Sequence, residues 1–137
     1  MVGLQVGFLW HEIGDGAFAH AFFSTVSYRL EDGKWGSRFP YLMRRLFYQQ
    51  LDWKEIKFAR KELKIIQKEL KKFPPDQVVW DIEDLSKRPP WGDKISSDIK
   101  NLSNYFVTSD GKDLIGVFFQ AFKEAEKLKE TIEIAKL

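Results

Sequence analysis

The sequence contains no cysteine. Disulfide frameworks, zinc–thiolate sites and thiol nucleophiles are therefore excluded, and the absence fits a reducing compartment. It has five prolines and no apolar run approaching the ~18–20 residues that a membrane helix needs. The opening MVGLQVGFLW lacks the basic segment and the long apolar stretch of a secretory signal. A soluble, cytoplasmic protein with no membrane partner is the expectation. Neither sign of charge dominates: Lys and Arg number 22 against 20 Asp and Glu, for a net charge of +2. That balance points to neither a nucleic-acid partner nor an acidic mimic of one.

What is present suits one domain. A chain of 137 residues can bury about two-thirds of the surface its unfolded form exposes and needs no metal staple. The average charge hides segregation. Residues 53–72 carry eight basic and three acidic side chains, whereas 76–93 carry five acidic and two basic. The plain reading of each run is a solvated face.

Apolar periodicity divides the chain. Val2, Leu4, Val6, Phe8 and Trp10 alternate with Gly3, Gln5 and Gly7, which predicts a strand with one buried face. The glycines suggest a close approach by another backbone or a helix. Phe18, Ala21, Phe22, Thr25 and Val26 recur at helical spacing, and Gly33 supplies a left-handed stop. A second helix starts near Pro40 and turns Leu42, Met43, Leu46 and Phe47 inward. The third has Asp52 as N-cap and Glu55 as the far half of a capping box, with Leu51 and Ile56 as a hydrophobic staple. Its stripe is Ile56, Ala59, Leu63, Ile66 and Leu70, and Pro74-Pro75 ends it.

QVVWDI then reads as a strand that buries Val78, Trp80 and Ile82, and YFVT reads as another. A fourth helix carries Leu114, Val117, Phe118, Ala121, Phe122, Ala125 and Leu128 inward, and TIEIAKL closes as a strand. The predicted order is β-α-α-α-β-β-α-β: an α+β domain spanning residues 1–137, with helices packed on a small mixed sheet. If the last two strands are parallel neighbours, the fourth helix is a right-handed crossover between them.

Chemistry-bearing motifs are sparse. There is no G-x-S-x-G, and the serines of FFSTVS have no nearby histidine to activate them. The glycines of VGLQVG and IGDGAF are too few or misplaced for a phosphate loop. His11, Glu12, Asp15 and His20 lie close in sequence, but at a spacing that matches no compact metal site. In DIED, Asp81 and Glu83 would share one face of a strand. With Asp84 they could hold a divalent ion or act as acid and base, which makes a small metal-dependent hydrolase the alternative reading.

The stretch DQVVWDIEDLSKRPPWGD favours a surface instead. Trp91 sits in the stiff loop RPPWGD with no periodic partner. A tryptophan held this way makes a good interface anchor, because it buries much area at little entropic cost. Asp81, Glu83, Asp84 and Asp93 would steer and orient a basic partner. The competing reading folds Trp91 back over the sheet edge as a lid.

WDIEDLS, PPWGD and NYFVTSDG, together with the N-terminal MVGLQVGFLWHEIGDGAFAHAFFSTVSYRLEDGKWGSRFPYLM, resemble the bacterial immunity protein family 70 over nearly the whole chain. The resemblance implies a non-enzymatic cytoplasmic binder. It would bind and neutralise the cognate toxin domain of a polymorphic toxin system; the surface reading of residues 81–93 adds that it would do so by occluding the toxin's active site. The resemblance implies no catalytic residue, metal or cofactor. A homodimer, with the basic helix against an acidic face of a second copy, is a further reading.

Overall fold

The computed structural model describes all 137 residues. Its elements are strands β1 (Val2–Val6) and β2 (Leu9–Gly14), helix α1 (Gly16–Leu30), helix α2 (Ile56–Leu70), helix α3 (Leu114–Leu128) and strand β3 (Ile132–Lys136). A π-helical segment, Tyr41–Leu46, and 3-10 turns at Trp53–Glu55 and Pro75–Gln77 lie between α1 and α3. The molecule is a small α+β domain, as the pattern of elements predicts. No helix is long and apolar enough to cross a membrane.

The sheet has the order β2-β1-β3 and both pairings are antiparallel. The expected mixed sheet and parallel crossover are therefore corrected: β3 returns beside β1. The single N-terminal strand is also corrected. Gly7, at φ 57°, reverses the chain, and β2 runs back with Val6 paired to Leu9. A glycine opening a two-residue loop suits the twist of a hairpin. The reversal leaves Phe8 fully exposed and moves Trp10 to the other face of the sheet. There its indole covers Gly3, where an added Cβ would lie 2.6 Å from the ring and 2.5 Å from the His11 carbonyl oxygen. The close approach predicted at Gly3 is thus made by a neighbouring strand and its tryptophan.

Helix α1 is buried nearly all round, which marks it as the central helix of the core. Asp15 caps it by accepting from the Ala17 N–H at 2.9 Å. Helix α3 lies against all three strands and α2, while α1 touches α2 and β2. Phe22 sits between them, with ring centroids 5.4 Å from Phe23, 5.3 Å from Phe106 and 5.5 Å from Phe118. Edge-on geometry at the first two contacts suits the charge distribution of the rings.

The stripe predicted for α2 is buried as spaced: Ile56, Ala59, Leu63, Ile66 and Leu70. Its capping box forms, with Asp52 accepting from Lys54 N–H at 3.0 Å and Glu55 accepting from Asp52 N–H at 3.1 Å. Leu51 and Ile132 exchange backbone hydrogen bonds at 2.9 Å, which ties the start of this helix to β3.

Two predicted strands do not form. YFVT contributes only one bridge, Val107 to Asp113. QVVWDI joins no sheet: Gln77 ends the 3-10 turn and the chain after it is irregular. Its backbone groups still require partners, and side chains of α1 supply them.

Candidate functional site

The 77–82 segment lies along α1. Thr25 Oγ1 accepts from Val79 N–H at 3.0 Å and donates to the Val79 carbonyl at 3.1 Å. Ser24 Oγ accepts from Ile82 N–H at 3.2 Å, and Arg29 Nε donates to the Gln77 carbonyl at 2.9 Å. Three polar side chains of one helix thus take the place of a neighbouring strand. The docking also changes which residues are inside. Val79 is fully buried, whereas Val78, Trp80 and Ile82, the predicted inward set, are half-buried. Thr25→Val keeps the shape and removes both bonds to Val79, so a loss of about 2 kcal/mol is expected. Amide exchange at Val79 should quicken out of proportion to the core, and unchanged protection there would show that the contact does not hold the segment.

Beyond this anchor the chain turns repeatedly. Asp81 is half-buried and already engaged: it accepts from Glu83 N–H at 2.9 Å and from Lys87 Nζ at 3.4 Å. His20 Nδ1 lies 4.0 Å from Oδ1, the oxygen that takes the Glu83 N–H. Asp84 is exposed and accepts from the Ser86 hydroxyl and N–H, which hold its carboxyl below the usual aspartate range. Glu83 and Asp93 are exposed. The structure thus puts Asp81, Glu83 and Asp84 in one turn and Asp93 beside Trp91 on the following limb.

Trp91 is braced on one side and open on the other. Its indole N–H donates to the Tyr105 hydroxyl at 2.9 Å, and its ring meets Trp80 edge-on at 5.4 Å and Phe18 at 6.4 Å. Yet 37% of the residue stays exposed. It is a lid over Phe18 whose outer face is open to solvent in a fixed orientation.

Next to it lies a groove of about 690 Å³ between the Pro74–Val78 turn and the 88–95 loop. Pro74, Pro75 and Pro89 stiffen its walls, Tyr105 contributes to its lining, and Asp76, Arg88 and Asp93 bring charge to it. Burial pushes the Tyr105 hydroxyl up, Asp93 adds to that shift, and the Trp91 N–H opposes it. The phenol therefore stays protonated at neutral pH. Asp76, Arg88 and Tyr105 were not singled out in the sequence; the prolines on both sides of the segment are the signal that a rigid cleft would form there.

The remaining chemical candidates disperse. His11 Nε2 is 2.6 Å from Glu124 on α3. His20 stacks on Trp35 at 6.2 Å. No three His, Asp or Glu side chains gather to hold a metal ion, so neither the 81–84 segment nor the two histidines have geometric support as a metal centre. His20 does reach Ser24, one helical turn on, at 3.4 Å, which corrects the expectation that the α1 serines lack a histidine. The contact is not a nucleophile–base pair aimed at substrate. Ser24 is fully buried, its oxygen receives the Ile82 N–H, and the same imidazole nitrogen faces Asp81.

Residues 4–134 match the family described as Immunity protein 70. Neither the curated proteins nor the solved structures yield a match. With all but six residues of the chain inside the matched region, the chain belongs to the Immunity protein 70 family.

Proposed function

We propose that this protein binds a cognate toxin domain in the cytoplasm of the producing cell and neutralises it by covering its active cleft, without catalysing a reaction. The docking face in this reading is the 81–93 loop, with Trp91 as anchor and Asp81, Glu83, Asp84 and Asp93 facing basic groups of the toxin. The observation that carries it is the state of Trp91: hydrogen-bonded, braced by two aromatic rings and still partly open. Such a side chain loses little freedom on binding, so most of its burial would appear as affinity. Glu83, Asp84 and Asp93 are exposed, so changing them is expected to leave the core packing in place. Asp81, tied to Lys87 and its own turn, supports the loop more than it reaches outward.

The test is capture of the product of the neighbouring toxin gene by the full chain, followed by calorimetry. An interface of standard size would bury about 1,200–2,000 Å². Trp91→Ala is expected to weaken binding by about 2 kcal/mol or more. Because that change also frees Trp80 and Tyr105, the charge-reversed variant Glu83→Lys/Asp84→Lys/Asp93→Lys serves as the second probe. It should fold normally and bind at least tenfold more weakly. Undiminished affinity in both variants would remove this loop from the interface.

A further inference from the structure

Between Trp53 and Lys72 the fold sorts the charges. Glu55 closes the capping box and pairs with Arg45 at 2.9 Å. Glu62 is buried against the N–H groups of Tyr41 and Leu42. Glu69 forks onto Arg38, and Arg60 is paired with Glu126. The lysines are left over. At 100° per residue, Lys57, Lys61, Lys64, Lys68 and Lys71 fall within an arc of about 80° on the side away from the buried stripe. Lys54 and Lys72 extend the row at its ends. All seven are exposed and none forms an ion pair. The row runs about 21 Å from Lys57 to Lys71 at the rise of an α-helix.

Like charges three and four residues apart destabilise a helix, so a purely structural surface gains nothing from this arrangement. An aromatic platform stands beside it. Phe58 is 39% exposed and stacks on Tyr41 with centroids 5.1 Å apart and planes 23° apart. Lys57 Nζ lies 5.1 Å from the Phe58 ring. Ile65, 44% exposed, continues the apolar border one heptad on.

We propose that this face of α2 binds single-stranded nucleic acid, with the lysine row following the phosphates and the Tyr41–Phe58 pair stacking on a base. Cationic tracks beside aromatic platforms are the general device for such ligands. An acidic protein surface fits less well: lysine is depleted at protein interfaces, and Arg38, Arg45 and Arg60, which could fork onto carboxylates, are already paired within the chain. A membrane fits less well too, because an interfacial helix inserts its apolar face, and the apolar stripe of α2 is buried in the core. The net charge of +2 does not oppose the reading. Acidic groups more than about 8 Å away are largely screened at physiological salt. The proposal is independent of toxin binding, and either can fail alone.

The experiment is fluorescence anisotropy of a labelled 20-nucleotide oligo-dT titrated with the full chain. Four phosphate contacts give a log–log salt slope of about −3, so affinity should fall about 50-fold between 50 and 200 mM salt. Lys57→Gln/Lys61→Gln/Lys64→Gln/Lys68→Gln should weaken binding at 50 mM salt more than tenfold while the thermal melt stays in place. Phe58→Ser should weaken the single strand several-fold and a duplex of the same length little. Lys87→Gln/Lys94→Gln/Lys112→Gln should bind as the parent does. No binding at 50 mM salt, or binding indifferent to the fourfold substitution, overturns the proposal. So does lysine-dependent binding to phosphatidylglycerol vesicles in preference to the oligonucleotide. Lysine-dependent self-association in light scattering without oligonucleotide binding would assign the row to a second copy, and that outcome overturns it as well.

Discussion

Glu31→Ala is expected to destabilise the protein by about 4 kcal/mol, a large share of the ~5–15 kcal/mol that holds a domain of this kind folded. Glu31 is 3% exposed, just past the end of α1. One carboxylate oxygen accepts from Gly36 N–H and the other from Arg38 and Phe39 N–H, all at 3.0 Å. Truncation would strand three backbone donors around a void. Each unsatisfied donor costs about 1–3 kcal/mol, and the loss of an ionised acceptor sits at the upper end. The consequence would spread along the loop. Trp35, which that loop carries, packs on Phe47 and Phe23 and donates to the Met43 carbonyl. Chemical denaturation followed by tryptophan fluorescence measures the loss. Glu31→Gln, which retains one acceptor oxygen, should fall between the parent and alanine. A loss under about 1 kcal/mol for alanine would mean that water or a shifted loop replaces the carboxylate.

The second large effect is a dependence of stability on pH that runs opposite to ordinary acid denaturation. Glu62 is raised from its usual 4.5 to about 7, chiefly because burial disfavours the carboxylate. Hydrogen bonds from Leu42 and Tyr41 N–H oppose the shift, and the nearby negative charge of Glu31 adds to it. The folded-state value lies above the unfolded one. The folded protein therefore holds a proton that the unfolded chain has released between pH 4.5 and 7. The stabilisation is fully present below pH 4.5 and is lost as pH rises through about 7. A shift of this size corresponds to about 3 kcal/mol across that window. Stability measured by urea titration should thus be greater at pH 5 than at pH 8. In Glu62→Gln that slope should largely vanish, with a fixed cost because the amide nitrogen faces a backbone donor. A parent profile rising from pH 5 to pH 8 would refute the assignment.

Both residues illustrate what sequence patterns hide. Glu31 stands at a helix C-terminus, where the dipole disfavours a carboxylate. That anomaly is the one local sign of its role, and nothing nearby names Gly36, Arg38 and Phe39 as its partners. Glu62 follows Arg60 and Lys61 in a charge-rich run and reads as surface. Its burial follows from the π-helical segment packing against α2, a contact across twenty residues of chain.

The candidate site divides in the same way. Trp91 and its flanking carboxylates stood out because a large aromatic in a proline-stiffened loop has no periodic partner. That its indole would find Tyr105 and Phe18 depends on where two distant segments arrive. QVVWDI alternates as a strand should, and the alternation cannot say whether a strand or a helix will sit beside it. Serine, threonine and arginine at positions 24, 25 and 29 answered that question. At Gly7 the period-two pattern ran on through the turn, so the reversal was invisible to it.

By itself the sequence determined the α+β class, the long helices and their buried stripes apart from Leu128, which lies past the packed part of α3 and is 50% exposed, the caps of α2 and the family. These depend on contacts between residues a few positions apart, which periodicity and side-chain chemistry report directly. The tertiary structure alone decided the antiparallel sheet order, the partners of the 77–82 backbone, the groove beside Trp91 and the state of Glu31 and Glu62. Each of these depends on which distant group satisfies a hydrogen bond or excludes water, and that is settled only when the whole chain has closed around one core.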